Sequence, residues 1–203
     1  RLRTFAVWPV PIRDLDFTNL YGMDVTAERA IVKFPDQTIG VAVADVSGHG
    51  VPAAFITAIF KASFYRTTHT HHEPGDVLYH LNNELIDIVK TGQYITSIYC
   101  RIDEDGRRLR YSGAGHPYPF YYSKARDELI RLQENGTPLV WIKDMDYPMG
   151  ERTLAPGDKI LLFTDGISEM RNAEGDMFGE EALEAARAGG RAFHRQSGVG
   201  AGA

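Results

Sequence analysis

The chain has 203 residues, 43% hydrophobic and 24% charged, with a net charge of −5, the make-up of a soluble globular chain with enough core to fold as one domain. The mild acidic balance argues against nucleic acid or an anionic membrane as partner, and no apolar run approaches the ~20 residues that span a bilayer. A single cysteine, Cys100, excludes an internal disulfide and fits a reducing compartment; with no signal peptide visible, the cytoplasm is the expected location.

Taken in order, residues 1–14 read as a lead-in holding Pro9 and Pro11, residues 15–188 as the folded domain, and residues 189–203 as a Gly/Ala-rich, poorly packed tail. The opening Arg-Leu-Arg carries no start methionine, so the chain is expected to be a fragment of something longer. Phe34-Pro35-Asp36-Gln37 predicts a hairpin turn feeding a strand at residues 39–46. That strand alternates small and β-branched residues (Val41, Val43, Val46), the composition of a strand buried on both sides.

Residues 51–68 follow as a helix, opened by Pro52, whose missing N–H costs nothing in a first turn. Phe55, Ile56, Ile59, Phe60, Ser63 and Phe64 recur at helical spacing and are expected in the core. Thr67–His72 (TTHTHH) is read as an exposed polar loop, because a zinc site would need further ligands and a rigid frame. Glu73-Pro74-Gly75-Asp76 starts a second helix, with Leu78, Leu81, Leu85, Ile88 and Val89 as its apolar stripe.

Two hairpins come next. Residues 94–102 and 107–113 join across Asp103–Gly106, and residues 118–122 and 128–132 across Ser123–Asp127. Cys100 falls in the alternating pattern of the first, as a buried thiol rather than a nucleophile. Pro156-Gly157-Asp158 turns the chain into an apolar strand at residues 159–163, and residues 180–188 form a short Ala/Glu-rich helix. Antiparallel strands flanked by helices make the fold class α+β.

Chemistry-bearing residues gather at three strand ends. The first strand runs into Asp45-Val46-Ser47-Gly48-His49-Gly50, residues 111–117 read YSGAGHP, and residues 163–166 read FTDG around Asp165. Acids and histidines beside glycines at strand tips suit a metal or anion site, because glycine lets the backbone turn tightly toward a small ligand.

In this order, DVSGHG, AGHP and TDG resemble the SpoIIE-type serine/threonine phosphatases of the PP2C (PPM) superfamily. Residues 135–139 (NGTPL), LAPGD at residues 154–158 and residues 169–179 are similar to that family's downstream pattern, so the likeness covers roughly residues 15–185. It implies a PP2C-like α/β/β/α four-layer sandwich, two antiparallel sheets flanked by helices, with metals in a cleft at one sheet edge. It further implies two divalent cations, Mn2+ or Mg2+, that activate a water to hydrolyse phosphoserine or phosphothreonine.

By the same resemblance, Asp45 would bridge both ions, the Val46 carbonyl would complete one of them and Asp165 would hold the second. His49 would serve as general acid toward the leaving serine oxygen, or orient its loop. His116 is read as structural, bridging turns, and Glu169 as an outer-shell acid or a solvated helix start. The family's substrate is a phosphorylated signalling protein, an anti-sigma-factor antagonist in partner-switching control, and sensory or receiver domains commonly precede the phosphatase.

Two departures stand against this. The family's Gly-Gly-Asp, which supplies another metal ligand, is absent; the family spacing lands on Ala27, one deletion gives Glu28 and three inserted residues give Asp24. Glu28 is preferred, since Met23 and Val25 flank it as the family would. No Asp follows Asp176, so the family's final acidic strand is missing from this chain. The alternative reading is therefore a catalytically impaired phosphatase that keeps the fold as a partner-binding module.

Overall fold

A computed structural model describes residues 7–12, 15–20 and 27–165, with side chains from residue 30 onward. The chain divides into two compact units, residues 1–164 and 165–203. Of the second unit, Asp165 alone falls within the described residues.

The first unit opens with an antiparallel hairpin, β1 (Val7–Ile12) and β2 (Leu15–Leu20). Residues 7–12, expected as lead-in, are thus a strand: the φ that Pro9 and Pro11 impose is compatible with extended backbone. Then come β3 (Ala27–Lys33), β4 (Ile39–Val46), α1 (Val51–Thr70), α2 (Pro74–Ile88), β5 (Ile95–Ile102) and β6 (Arg108–Ala114). The hairpin β7 (Phe120–Ser123) and β8 (Glu128–Arg131) follows, then the short β9 (Asn135–Gly136), β10 (Gly150–Thr153) and β11 (Lys159–Leu161).

The main sheet runs β10-β6-β5-β4-β3, antiparallel throughout, with β9 added parallel to β6. A three-stranded sheet, β11-β7-β8, is also antiparallel. The period-two alternation of strand residues sorts the main sheet into two faces. Ala42, Ala44 and Val46 of β4 join Ile95 and Tyr99 of β5 against Ile56, Phe60 and Phe64 of α1 and Leu78, Leu81 and Leu85 of α2. Val41 and Val43 join Ile98, Cys100 and Ile102 against Tyr121, Leu132, Ile160 and Leu162 from the small-sheet side. β4 is therefore covered on both faces, as its composition predicts, and the alanines on its helix side let α1 approach closely.

Local chemistry accounts for the joints. Gln37 takes φ 62 in the β3–β4 turn, where Asp36 Oδ1 accepts from the Thr38 amide at 3.0 Å and the Thr38 hydroxyl at 2.7 Å. Pro52 and Pro74 each stand in the first turn of their helix.

Three sequence expectations change. Phe55 is 66% exposed: the buried stripe of α1 runs through Ala53, Ile56, Thr57, Phe60, Ser63, Phe64, Thr67 and Thr68, and Phe55 sits about 100° round the helix from Ile56. Ile88 likewise ends α2 exposed while Val89 beyond it is buried. The Thr67–His72 loop is mostly helix, with Thr67 and Thr68 buried in the last turns of α1. After it, the His72 carbonyl accepts from the buried Arg101 guanidinium at 3.2 Å, which also reaches Asp36 at 2.8 Å.

Among the described residues both helices cover one face of the main sheet. The expected helix at residues 180–188 and the tail at 189–203 lie outside the described residues.

Candidate functional site

The site begins where β4 stops. Asp45 and Val46 are its last two residues, and the strand alternation places Asp45 on the face of Val41 and Val43, half-buried at the end of the inter-sheet core. The chain then turns through Ser47–Gly50 into α1. Gly48 at φ 96 and Gly50 at φ 78 both occupy the left-handed region, which a side chain would strain, so the Gly-His-Gly spacing is a backbone requirement. Ser47 ties this turn to the start of β5: its amide donates to the Tyr94 carbonyl at 2.9 Å, and its hydroxyl accepts from the Tyr94 amide at 2.9 Å. His49 is exposed at the tip.

On β5, Thr96 stands directly opposite Asp45 in the ladder. Its hydroxyl is 3.1 Å from His116 Nδ1, and His116 Nε2 is 2.9 Å from the Phe163 carbonyl. A carbonyl only accepts, so Nε2 carries the proton and Nδ1 accepts from Thr96. His116 is 3% exposed, and burial pushes its pKa down to about 4, against the opposing pull of the Phe163 bond. It is a neutral imidazole at ordinary pH, which matches a bridging role. Asn135 completes the frame, donating to the His116 carbonyl at 2.8 Å and accepting from the Gly115 amide at 2.8 Å.

The AGHP turn, the NGTPL turn, the strand beside Asp45 and the segment leading to FTDG thus share one hydrogen-bonded junction. The sequence does not mark Thr96 or Asn135 as site side chains. Thr96 is marked by ladder register alone, which no local pattern displays.

The remaining candidates divide. Asp165 is exposed and opens the second unit; Gly166 and Glu169 lie outside the described residues, as does Asp24. Glu28 is on β3, paired with Ala44, whereas Ala27 is the residue paired with Asp45. The pleat therefore assigns the Glu28 and Asp45 positions to alternate faces of the sheet.

For a metal, the described part offers oxygen: the Asp45 carboxylate and the Val46 backbone carbonyl. That donor chemistry fits hard divalent ions such as Mg2+ or Mn2+ rather than thiophilic ones. Among the described residues no group of three or more His, Cys, Asp or Glu side chains gathers to hold an ion.

Comparison with known proteins agrees with this architecture. The profile of the family described as Stage II sporulation protein E (SpoIIE) matches residues 35–197. The chain is 34% identical over 139 residues to phosphoserine phosphatase RsbU of Bacillus subtilis (strain 168), covering 68% of this chain and 42% of that protein. It is 26% identical over 134 residues to phosphoserine phosphatase RsbP of the same organism, covering 64% and 33%. The chain thus spans less than half the length of either relative.

Among solved structures, the SiaA-PP2C domain of Pseudomonas aeruginosa superposes with a TM-score of 0.68 at 21% identity, over 80% of this chain and 65% of that one. A structure of the PP2C phosphatase domain and a fragment of the regulatory domain of SpoIIE from Bacillus subtilis gives 0.60 at 18% identity, over 71% and 42%. The fold is α+β and PP2C-like, and the chain belongs to the SpoIIE family.

Proposed function

We propose that this chain is a metal-dependent protein phosphatase domain that hydrolyses phosphoserine or phosphothreonine on a signalling protein, with an anti-sigma-factor antagonist as the substrate class. The observation that carries the reading is the half-buried Asp45 at the tip of β4, followed at once by a glycine turn into α1. The names of the two relatives as phosphoserine phosphatases support it.

In this reading Asp45 and the Val46 carbonyl would hold divalent cations; by the family resemblance Asp165 would be a further ligand, and Glu28 or Asp24 would stand for the missing Gly-Gly-Asp acid. Two bound ions, Mn2+ or Mg2+, would supply a hydroxide-like water and positive charge at the phosphoryl oxygens. Magnesium accompanies one structural relative, RsbX. His49, exposed beside the site, would donate a proton to the leaving serine oxygen. His116, neutral and bonded on both ring nitrogens, would keep the strand ends in place and move no proton. A phosphorylated protein is the partner, with a sensory or receiver domain upstream, in the cytoplasm. No described helix is long and apolar enough to cross a membrane.

The pairing of Ala27 with Asp45 favours a second reading, in which the fold survives as a partner-binding module with impaired catalysis. Phosphate release from para-nitrophenyl phosphate and from a phosphoserine protein, with and without Mn2+, separates the two. Mn2+-dependent turnover that Asp45→Ala abolishes supports the enzyme. Turnover no greater than that of Asp45→Ala rejects it for this chain and leaves the binding module.

A further inference from the structure

Gln93 lies in the short connection between α2 and β5, and its side chain reaches across to the turn after Asp45. Its Nε2 donates to the Ser47 carbonyl at 3.1 Å, and its Oε1 accepts from the Thr91 hydroxyl at 2.8 Å. The Ser47 carbonyl can only accept, so the NH2 edge must face it and the oxygen is left for Thr91; the two bonds define one orientation of the amide. A Cβ built on Gly48 would stand 3.0 Å from Gln93 Nε2, so the amide also packs over the bare Gly48 backbone.

Ser47 is already held at its amide and hydroxyl by the backbone of Tyr94. The Gln93 bond adds a third point, at the peptide that joins Ser47 to Gly48. Without it that peptide retains the freedom glycine confers, and the φ of Gly48 is free to vary.

We propose that Gln93 is a positioning residue, a side-chain latch that holds the Ser47–Gly48 peptide. It thereby fixes the Val46 carbonyl just before that peptide and His49 just after it. The inference rests on the reading of Asp45–His49 as the phosphatase site. It concerns a residue in no strand or helix, remote in sequence from the turn that it serves.

The test compares Gln93→Glu and Gln93→Ala with the unaltered chain. Glutamate is nearly isosteric but ionised, so it fills the same space without an N–H to give the Ser47 carbonyl. Amide hydrogen exchange at Ser47 and Tyr94, whose mutual bonds flank the latched peptide, reads how firmly the turn is held, and Mn2+-dependent turnover of para-nitrophenyl phosphate reads the consequence. Both variants are expected to melt as the unaltered chain does and to exchange these two amides about tenfold faster. Their kcat should fall about tenfold at unchanged KM, since the latch touches no substrate.

Unaltered exchange and kcat in Gln93→Glu would show that the side chain only fills space, and would overturn the proposal. Faster exchange with an unchanged kcat would overturn it too, because the latch would then position nothing the reaction uses. Should the unaltered chain show no Mn2+-dependent turnover, the phosphatase reading falls by itself. The latch is then decided by the exchange rates of the two variants alone.

Discussion

His116 and Phe163 are joined by a 2.9 Å hydrogen bond from the buried imidazole to a backbone carbonyl, 47 residues apart in sequence. The bond sets the tautomer of the ring, and through it the direction of the Thr96 hydroxyl beside Asp45. It also ties β5 and the AGHP turn to the segment that enters FTDG.

Acid should loosen this junction first. The His116 pKa falls from its ordinary 6.5 to about 4 on burial, so above pH 6.5 the ring is neutral whether folded or unfolded and adds no pH dependence. Below 6.5 the unfolded chain takes up a proton that the folded chain refuses. Stability is then lost as pH falls toward 4, by about 1.4 kcal/mol per unit and roughly 3 kcal/mol in all. Urea unfolding at a series of pH values should show this slope, and His116→Gln should flatten it.

Truncating the same ring should cost more than its volume. His116→Ala leaves the Phe163 carbonyl and the Thr96 hydroxyl without their partner in a buried place, a loss of about 1–3 kcal/mol for the unmade bonds alone. The midpoint of chemical denaturation at pH 7 checks it.

Gly40 is where β4 admits the aromatic rings of the helix-side core. A Cβ there would lie 2.9 Å from the Phe34 ring and 2.9 Å from the Tyr99 hydroxyl, both on buried side chains. Gly40→Ala is expected to destabilise by about 1–3 kcal/mol through overpacking, read as a lowered Tm.

Two phenylalanines five residues apart on α1 should behave oppositely. Phe60 is 1% exposed and packs against Phe64, whereas Phe55 is 66% exposed. Phe60→Ala should cost about 3–5 kcal/mol, and Phe55→Ser should stay within about 0.5 kcal/mol of the unaltered chain. Equal losses at the two positions would contradict the orientation of the helix.

Cys100 should be chemically silent in the folded chain. It is fully buried, and burial pushes its thiol up to about 12, so almost no thiolate forms at neutral pH. An aromatic disulfide reagent should titrate no thiol in the native chain and one in denaturant.

The sequence by itself determined the elements and their order around the site. Alternation in residues 39–46 announced a strand covered on both faces, Gly48 and Gly50 a turn no other residue takes easily, and Pro52 the helix that follows. These are local properties, carried by steric preference and by periodicity within a single element.

Only the tertiary structure decided which residues share a neighbourhood. Pairing of β3 with β4 set Ala27, and not Glu28, against Asp45, since a single step of register exchanges the faces of a sheet. Packing of α1 selected Ile56 over Phe55 for the core, two apolar neighbours that composition does not distinguish. Thr96, Gln93 and Asn135 acquired their roles from partners 19 to 51 residues away. Such contacts exist once the sheets close and have no counterpart in the spacing of nearby residues.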